Sequence, residues 1–289
     1  MSATEAVQEG ARSRTELREV SGPSSIGGGR RRFFELLWLI SVTEFKKTYF
    51  GTVLGYFWSL ARPLMLFAVL EFVFTRVFRL GSGVPNYPVM LLFNIVLFTF
   101  IQEATGTAVG SVLGQEDVVR KTQFPRLVIP LAVVLTGFFN LALNLIAVFA
   151  FILAYGVDPA WTWLLLPVIL ASITILTVAL SMLLSALYVR FRDVSIIWGV
   201  AITVLFYATP ILYPIEKVPD QYRDFLLWNP LAPIFEQARA WIIDPGAPGA
   251  VSAAGGLTGL IPAIVIYVAV CVAGVLVFRR EAPRIAEAL

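Results

Sequence analysis

The chain has 289 residues, of which 58% are apolar and only 14% charged, and its formal net charge is +3. A soluble domain carries roughly 25% charged residues to cover its surface, so this deficit points to lipid as the solvent. Acidic and basic residues nearly balance, 19 against 22, which excludes the strongly basic footprint of a nucleic-acid binder. There is no histidine, and the single cysteine, Cys271, lies within an apolar run. A disulfide within the chain, the commonest metal ligand and any Ser-His-Asp triad are thereby removed.

Residues 1–29 are rich in Ser, Gly, Glu and Arg, end in Gly27-Gly28-Gly29 and lack the apolar core of a signal peptide. Their composition predicts a disordered cytoplasmic tail. The domain that follows runs from residue 30 to 289. From Arg30 to Phe50 the residues Phe34, Trp38, Val42, Phe45 and Tyr49 recur at spacings of four and three, which is one helix face. Glu35, Thr43, Lys46 and Lys47 fall on another. Glu44, Lys46 and Lys47 are poorly suited to hydrocarbon, so this segment is expected to be an amphipathic helix lying in the membrane interface rather than a first span.

Six apolar segments follow, at about 54–78, 88–112, 127–155, 163–188, 194–213 and 257–278, each near the ~20 residues that cross a bilayer. The stretch between the fifth and sixth, Pro214 to Gly256, mixes Trp228, Phe235 and Trp241 with prolines and charges. Its apolar pieces are too short to span, and they predict re-entrant or interfacial helices covered by protein or water. The expected fold is an all-α integral membrane protein: an N-terminal interfacial helix, six transmembrane helices, and external re-entrant helices between spans five and six.

Orientation follows from Lys and Arg. The tail and interfacial helix, the loop near 113–126 (Arg120, Lys121, Arg126), the turn after the fourth span (Arg190, Arg192) and the C-terminus (Arg279, Arg280, Arg284) all fall on one side. The opposite short loops, Gly81–Tyr87 and Gly156–Thr162, carry none. The positive-inside rule then puts both termini in the cytoplasm, and the location is a multi-pass protein of the plasma membrane.

No GxxxxGK[ST] phosphate loop, HExxH or cysteine cluster is present, so any ATP used must be bound by another chain. Charged residues within spans are functional candidates; they are Arg62, Glu71 and Glu103, with Arg76 and Arg79 near the outer end of the first span. Glu71 and Glu103 are the only embedded carboxylates a proton-coupled carrier could use, and either could instead pair with a basic neighbour. The loop Gln115–Arg126 reads as a short amphipathic helix stopped by Pro125, and Val189–Val194 as a very tight turn. Both set mixed charges around a phenylalanine, as an aromatic anchor with a charged rim would for a soluble partner. Ordinary positive-inside loops have the same charges.

Motifs in order along the chain carry a resemblance. Leu54-Gly55-Tyr56-Phe57-Trp58-Ser59-Leu60-Ala61-Arg62-Pro63 resembles the LGxxWxxxxP signature that opens the first span of type-2 ABC transporter permeases. Arg120–Arg126 resembles their cytoplasmic coupling segment, and Tyr188–Asp193 their YxRFRD turn. Thr209-Pro210-Ile211-Leu212-Tyr213-Pro214 and Asn229-Pro230-Leu231 resemble the TPILYP and NP elements around the external helices. Within that superfamily the pattern is similar to Wzm-type exporters of lipid-linked O-antigen, teichoic acid or galactan.

The resemblance implies a non-enzymatic permease working as a dimer of two copies of this chain with two ABC ATPase subunits, which would hold ATP and Mg; this chain would hold no cofactor or metal. It implies ATPase coupling by Glu44, Phe45, Arg120, Lys121, Gln123, Phe124, Pro125, Arg126, Arg190, Phe191, Arg192 and Asp193. It also implies an aromatic channel for sugar chains, with Tyr56, Trp58, Phe206 and Tyr207 as candidates, although packing would use the same residues. Arg30, Arg31 and Arg32 are candidates for the pyrophosphate of a lipid-linked substrate, and attraction to anionic membrane lipid explains them equally. The rival expectations are an ion-driven secondary carrier, an ABC permease for a drug or small lipid, and a membrane scaffold without transport. No internal repeat favours the carrier.

Overall fold

The computed structural model describes residues 29–50, 55, 57–79, 83–115 and 125–281, with side chains from 31 to 48 in the first of these segments. The expectations for the tail, Tyr56, the loop from Arg120 to Phe124, Arg284 and the Arg30 side chain lie outside the described residues.

The described residues are mostly helical, with no strand among them. Helix α1 spans Gly29–Phe50. Helix α2 spans Phe57–Glu71 and continues as a π-helical turn over Phe72–Val77. Next come α3 (Tyr87–Gly114), α4 (Val128–Ala154), α5 (Leu166–Arg190, entered through a 3-10 turn at Trp161–Leu165) and α6 (Val194–Ala208). After them lie α7 (Asp220–Leu227), α8 (Leu231–Ile242), α9 (Ala250–Ala253) and α10 (Ile261–Glu281).

Five of these helices are long and apolar enough to cross a membrane: α2 with its π turn, α3, α4, α5 and α10, the last two each with the 3-10 turn that precedes it. The fifth expected span, 194–213, is cut short. Helix α6 ends at Ala208 after 15 residues, because Pro210 disfavours the helical conformation in the residue before it. Thr209 is accordingly extended, at φ −100° and ψ 142°. The expected short helices between the last two spans are present as α7, α8 and α9.

Helix α3 is the centre of the bundle, packed against α4 and α5 and more lightly against α2 and α6. Its side chains from Val89 to Phe98 are all buried, and a run apolar on every face is what a helix surrounded by other helices requires. Small residues set the closest approaches, as is usual where packing rather than water drives association. A Cβ on Gly274 of α10 would overlap the backbone of Ala179 in α5. One on Gly137 of α4 would press on Ala104 and Phe100 of α3.

Leu127, at the entry to α4, packs with Met182 and Ala186 of α5 and Phe278 of α10. These contacts gather Arg126, Arg190 and Arg279 at one end of the bundle, the basic end. At the other end, Trp163 donates through Nε1 to the Ile242 carbonyl (2.9 Å), Thr162 donates to the Trp241 carbonyl, and Asn86 donates to that of Ile243 (3.4 Å). These bonds fasten the expected external helices to the starts of α3 and α5.

Candidate functional site

The break after α6 is a constructed feature. A chain that stops being helical at membrane depth must satisfy its backbone from protein, and three side chains do this. Asn229 donates through Nδ2 to the Ala208 carbonyl (3.3 Å) and Thr209 Oγ1 (2.8 Å), while its Oδ1 accepts from the Leu231 amide (3.0 Å). Asn94 of α3, fully buried, donates to the Pro210 carbonyl (3.2 Å), and Tyr87 donates to that of Leu212 (2.6 Å). The two motifs at 209–214 and 229–231 are therefore one unit, in which the second caps the broken end of the first. Asn94 was not singled out in the sequence; an amide in the middle of an otherwise apolar run was the available signal.

A second buried cluster lies beside it. Arg239 of α8, 5% exposed, pairs with Glu216 (2.9 Å), Glu236 (3.5 Å) and Asp244 (3.8 Å). Glu236 also accepts from the Ile215 amide (3.0 Å). Burial pushes its carboxyl up to about 7 against the pull of Arg239, and the neighbouring Glu216 raises it further. One guanidinium shared by three carboxylates leaves an excess of negative charge, which a proton on Glu236 relieves.

Toward the basic end, α1, α2, α3 and α4 surround a cavity of about 1080 Å³. Helix α1 meets α4 where the hydroxyls of Ser41, fully buried, and Thr136, each donating to a carbonyl of its own helix (2.7 and 2.8 Å), also lie 3.3 Å from the Ala132 carbonyl and 3.2 Å from that of Ser41. Trp38 and Phe45 both meet Phe139 edge-on. Phe34 and Leu39 remain exposed, so the apolar surface of α1 extends beyond the face that meets α4. Across the cavity, Arg62 of α2 donates to Glu103 of α3 (3.1 Å), and Asn140 of α4 donates to the other oxygen of Glu103 (3.3 Å). Of the expected intramembrane charges, Arg62 and Glu103 thus neutralise each other.

The expected coupling residues fall as follows. Glu44 pairs with Lys47 (2.9 Å) at the cavity edge, and Phe45 is half-buried on Phe139. Pro125 and Arg126 are half-buried where α4 begins. Arg190 stacks on the ring of Phe191 and Arg192 on that of Tyr188, each at 5.3 Å, in the exposed turn before α6. Asp193 is exposed at the first residue before that helix. Lys121, Gln123 and the rest of the loop lie outside the described residues. Among the expected aromatics, Trp58 is half-exposed in the cavity wall. Phe206 instead packs edge-on against Phe98 (5.3 Å) and is partly buried, while Tyr207 beside it is exposed. Arg31 pairs with Glu35 (2.9 Å) on the exposed side of α1, where Arg32 is exposed as well.

Residues 35–243, most of the chain, match the family of ABC-2 type transporters. The chain belongs to that family. This ABC-2 chain is 32% identical over 200 residues to the O-antigen export system permease protein RfbA of Klebsiella pneumoniae, covering 69% of this chain and 76% of that one. It is 30% identical over 209 residues to the RfbA protein of Myxococcus xanthus, 72% of this chain and 80% of that one. The polysialic acid transport protein KpsM of Escherichia coli is 22% identical over 206 residues, 69% and 78% of the two chains. These relatives place the ABC-2 chain in the Wzm-type branch.

Proposed function

We propose that this chain is the transmembrane permease of an ABC transporter that exports a lipid-linked polysaccharide across the cytoplasmic membrane, with its basic end inward. The observation that carries the reading is the ABC-2 match over most of the chain, joined to relatives that are O-antigen export permeases at 30–32% identity. No phosphate-loop motif occurs in the sequence, which supports a separate ATPase that would hold ATP and Mg. Helices α2, α6 and α10 carry exposed apolar residues, which lipid or a second copy of this chain would cover. The position of α1 on the basic flank of α4 supports an interfacial helix reporting ATPase movement to the bundle, with Arg126, Arg190, Phe191, Arg192 and Asp193 as the docking rim and Phe45 behind it. Arg31 and Arg32 would meet anionic lipid, either headgroups or a substrate pyrophosphate. The ion-driven carrier is disfavoured because Glu103 is engaged by Arg62 and Asn140 rather than held as an unpaired carboxylate.

The test is recovery of the tagged chain from detergent-solubilised native membranes, with identification of co-purifying chains. A stoichiometric ATPase with a phosphate loop is expected; recovery of this chain alone, where a known ABC complex survives, would overturn the reading. Arg126→Glu should lower ATPase recovery by about tenfold, the loss of one buried-edge charge contact, with membrane insertion unchanged. Equal recovery would remove Arg126 from the rim.

A further inference from the structure

Two of the helices that line the cavity at the basic end differ in how they meet the rest of the protein. Helix α1 packs principally on α4 and α2 on α3, with the cavity between α1 and α2. A displacement of α1 therefore reaches α2 chiefly through other helices. Trp38 and Phe45, about two turns apart on α1, both meet the ring of Phe139, at 5.4 and 6.0 Å between centroids. One aromatic side chain of α4 is thus held from α1 at two points. The next residue, Asn140, lies about 100° further around the helix and donates through Nδ2 to Oε2 of Glu103 on α3 (3.3 Å). The other oxygen of Glu103 accepts from Arg62 of α2 (3.1 Å).

The parts of this path differ in stiffness. Gly137 brings α4 so close to Ala104 and Phe100 of α3 that a Cβ would press on both. The hydroxyls of Ser41 and Thr136 lie 3.3 and 3.2 Å from carbonyls across the α1–α4 contact. Helices α1, α4 and α3 thus form one close-packed body. Helix α2 is different: Ala61 and Pro63 are its buried residues, and most of the remainder faces outward. Pro63 also leaves the carbonyl one turn earlier without its helical donor, which makes that turn the place to bend. Arg62 stands between those two residues, so its bond to Glu103 acts at the pivot of α2. Asn140 is 7% exposed, and its Oδ1 has no partner among the described residues. An apolar side chain there would leave nothing unpaired, so packing alone does not account for the amide. What the amide does is take up the second oxygen of Glu103 and fix that carboxylate toward Arg62.

We propose that Asn140 is a positioning residue for coupling: with Phe139 beside it, it passes a displacement of α1 through Glu103 to Arg62 and so tilts α2 about Ala61–Pro63. This rests on the export reading above and deepens it. The ATPase would act on α1 and the basic rim, and the half of α2 beyond Pro63 would answer without touching either. Phe139 takes up the movement by ring contact, Glu103 carries it as a carboxylate held at both oxygens, and Arg62 delivers it at the bend. Arg62 is largely exposed, so the pair adds little to stability; its role lies in the direction it gives to α2.

The experiment uses the full chain with its own ATPase in lipid nanodiscs, with the single cysteine, Cys271, replaced by alanine. An environment-sensitive fluorophore is attached at Val69→Cys, exposed on α2 beyond Pro63, or at Phe34→Cys, exposed on α1. Its emission is compared before and after trapping the ATPase with ATP and vanadate. In the otherwise unaltered chain both positions should respond. Asn140→Leu should abolish the response at position 69 and leave that at position 34, and Asn140→Gln, which keeps an amide donor, should restore the first. Arg62→Met, at a largely exposed side chain, cuts the path at its far end and carries the same expectation if Asn140→Leu fails to insert. An undiminished response at position 69 in either variant, a parallel loss at position 34, or no recovery with Asn140→Gln would overturn the relay and leave the export reading standing. A parent chain that responds at only one position would do the same. No response to nucleotide at either position of the parent would remove both.

Discussion

Helices α2 and α3 are equally apolar over their most hydrophobic membrane-length windows, yet 78% of the residues in that window of α3 are buried and only 6% in that of α2. Hydropathy reports that a segment leaves water; it does not report whether protein or lipid receives it. Helix α3 reads as apolar on all faces because four helices surround it, whereas α2 is as apolar while most of its surface faces out of the fold. The two are linked by the Arg62–Glu103 pair, the one ion pair between them among the described residues.

The contrast can be broken most directly by truncation. Phe93→Ala empties a fully buried site in α3 and should cost about 3–5 kcal/mol. Phe72→Ala, at a residue 60% exposed beyond α2, should cost less than about 1 kcal/mol. Thermal unfolding in detergent compares them, and equal losses would mean that α2 is packed as deeply as α3. Next in size is Asn94→Leu, which removes the donor to the Pro210 carbonyl and should cost about 1–3 kcal/mol. Its signature is faster amide exchange at 211–213 rather than across α4, so uniform exchange would detach Asn94 from the break. A cycle of Arg62→Ala and Glu103→Ala measures the link itself. Arg62 is largely exposed, so a coupling near 1 kcal/mol is expected, and zero coupling would leave α2 tied to α3 by apolar contact alone.

A last comparison concerns α8, buried like α3 but with charges in its packed face. With Glu236 held at about 7 against an ordinary 4.5, the folded state binds more protons than the unfolded chain between those values. Its contribution to stability is complete below about 4.5 and declines as pH rises through 7. The melting temperature should therefore be higher at pH 5 than at pH 8, and Glu236→Gln should flatten that slope. An unchanged slope would assign the effect to other groups.

Much of this architecture was legible in the residues. Long apolar runs, the punctuation by Pro and charge, and the grouping of Lys and Arg yielded the helices, the short external pieces and the clustering of Arg126, Arg190 and Arg279. What periodicity could not reach was partnership. Nothing in the local sequence of Arg62 says that Glu103 meets it 41 positions away, or that Asn229 caps a helix ending at Ala208. The excess length assigned to the segment at 194–213 has a local cause that was available: Thr209-Pro210 in an otherwise continuous apolar run. Phe206 shows the converse, since an aromatic expected in a channel wall is partly taken up by Phe98, a contact fixed only once α6 lies on α3.

The early end of α6 also decides what lies beyond it. Fifteen residues at 1.5 Å each reach about 22 Å, against a hydrocarbon core of about 30 Å. Thr209, Pro210, Ile211 and Leu212, which follow, are all buried, so the length that the helix lacks is made up by folded protein and not by acyl chains.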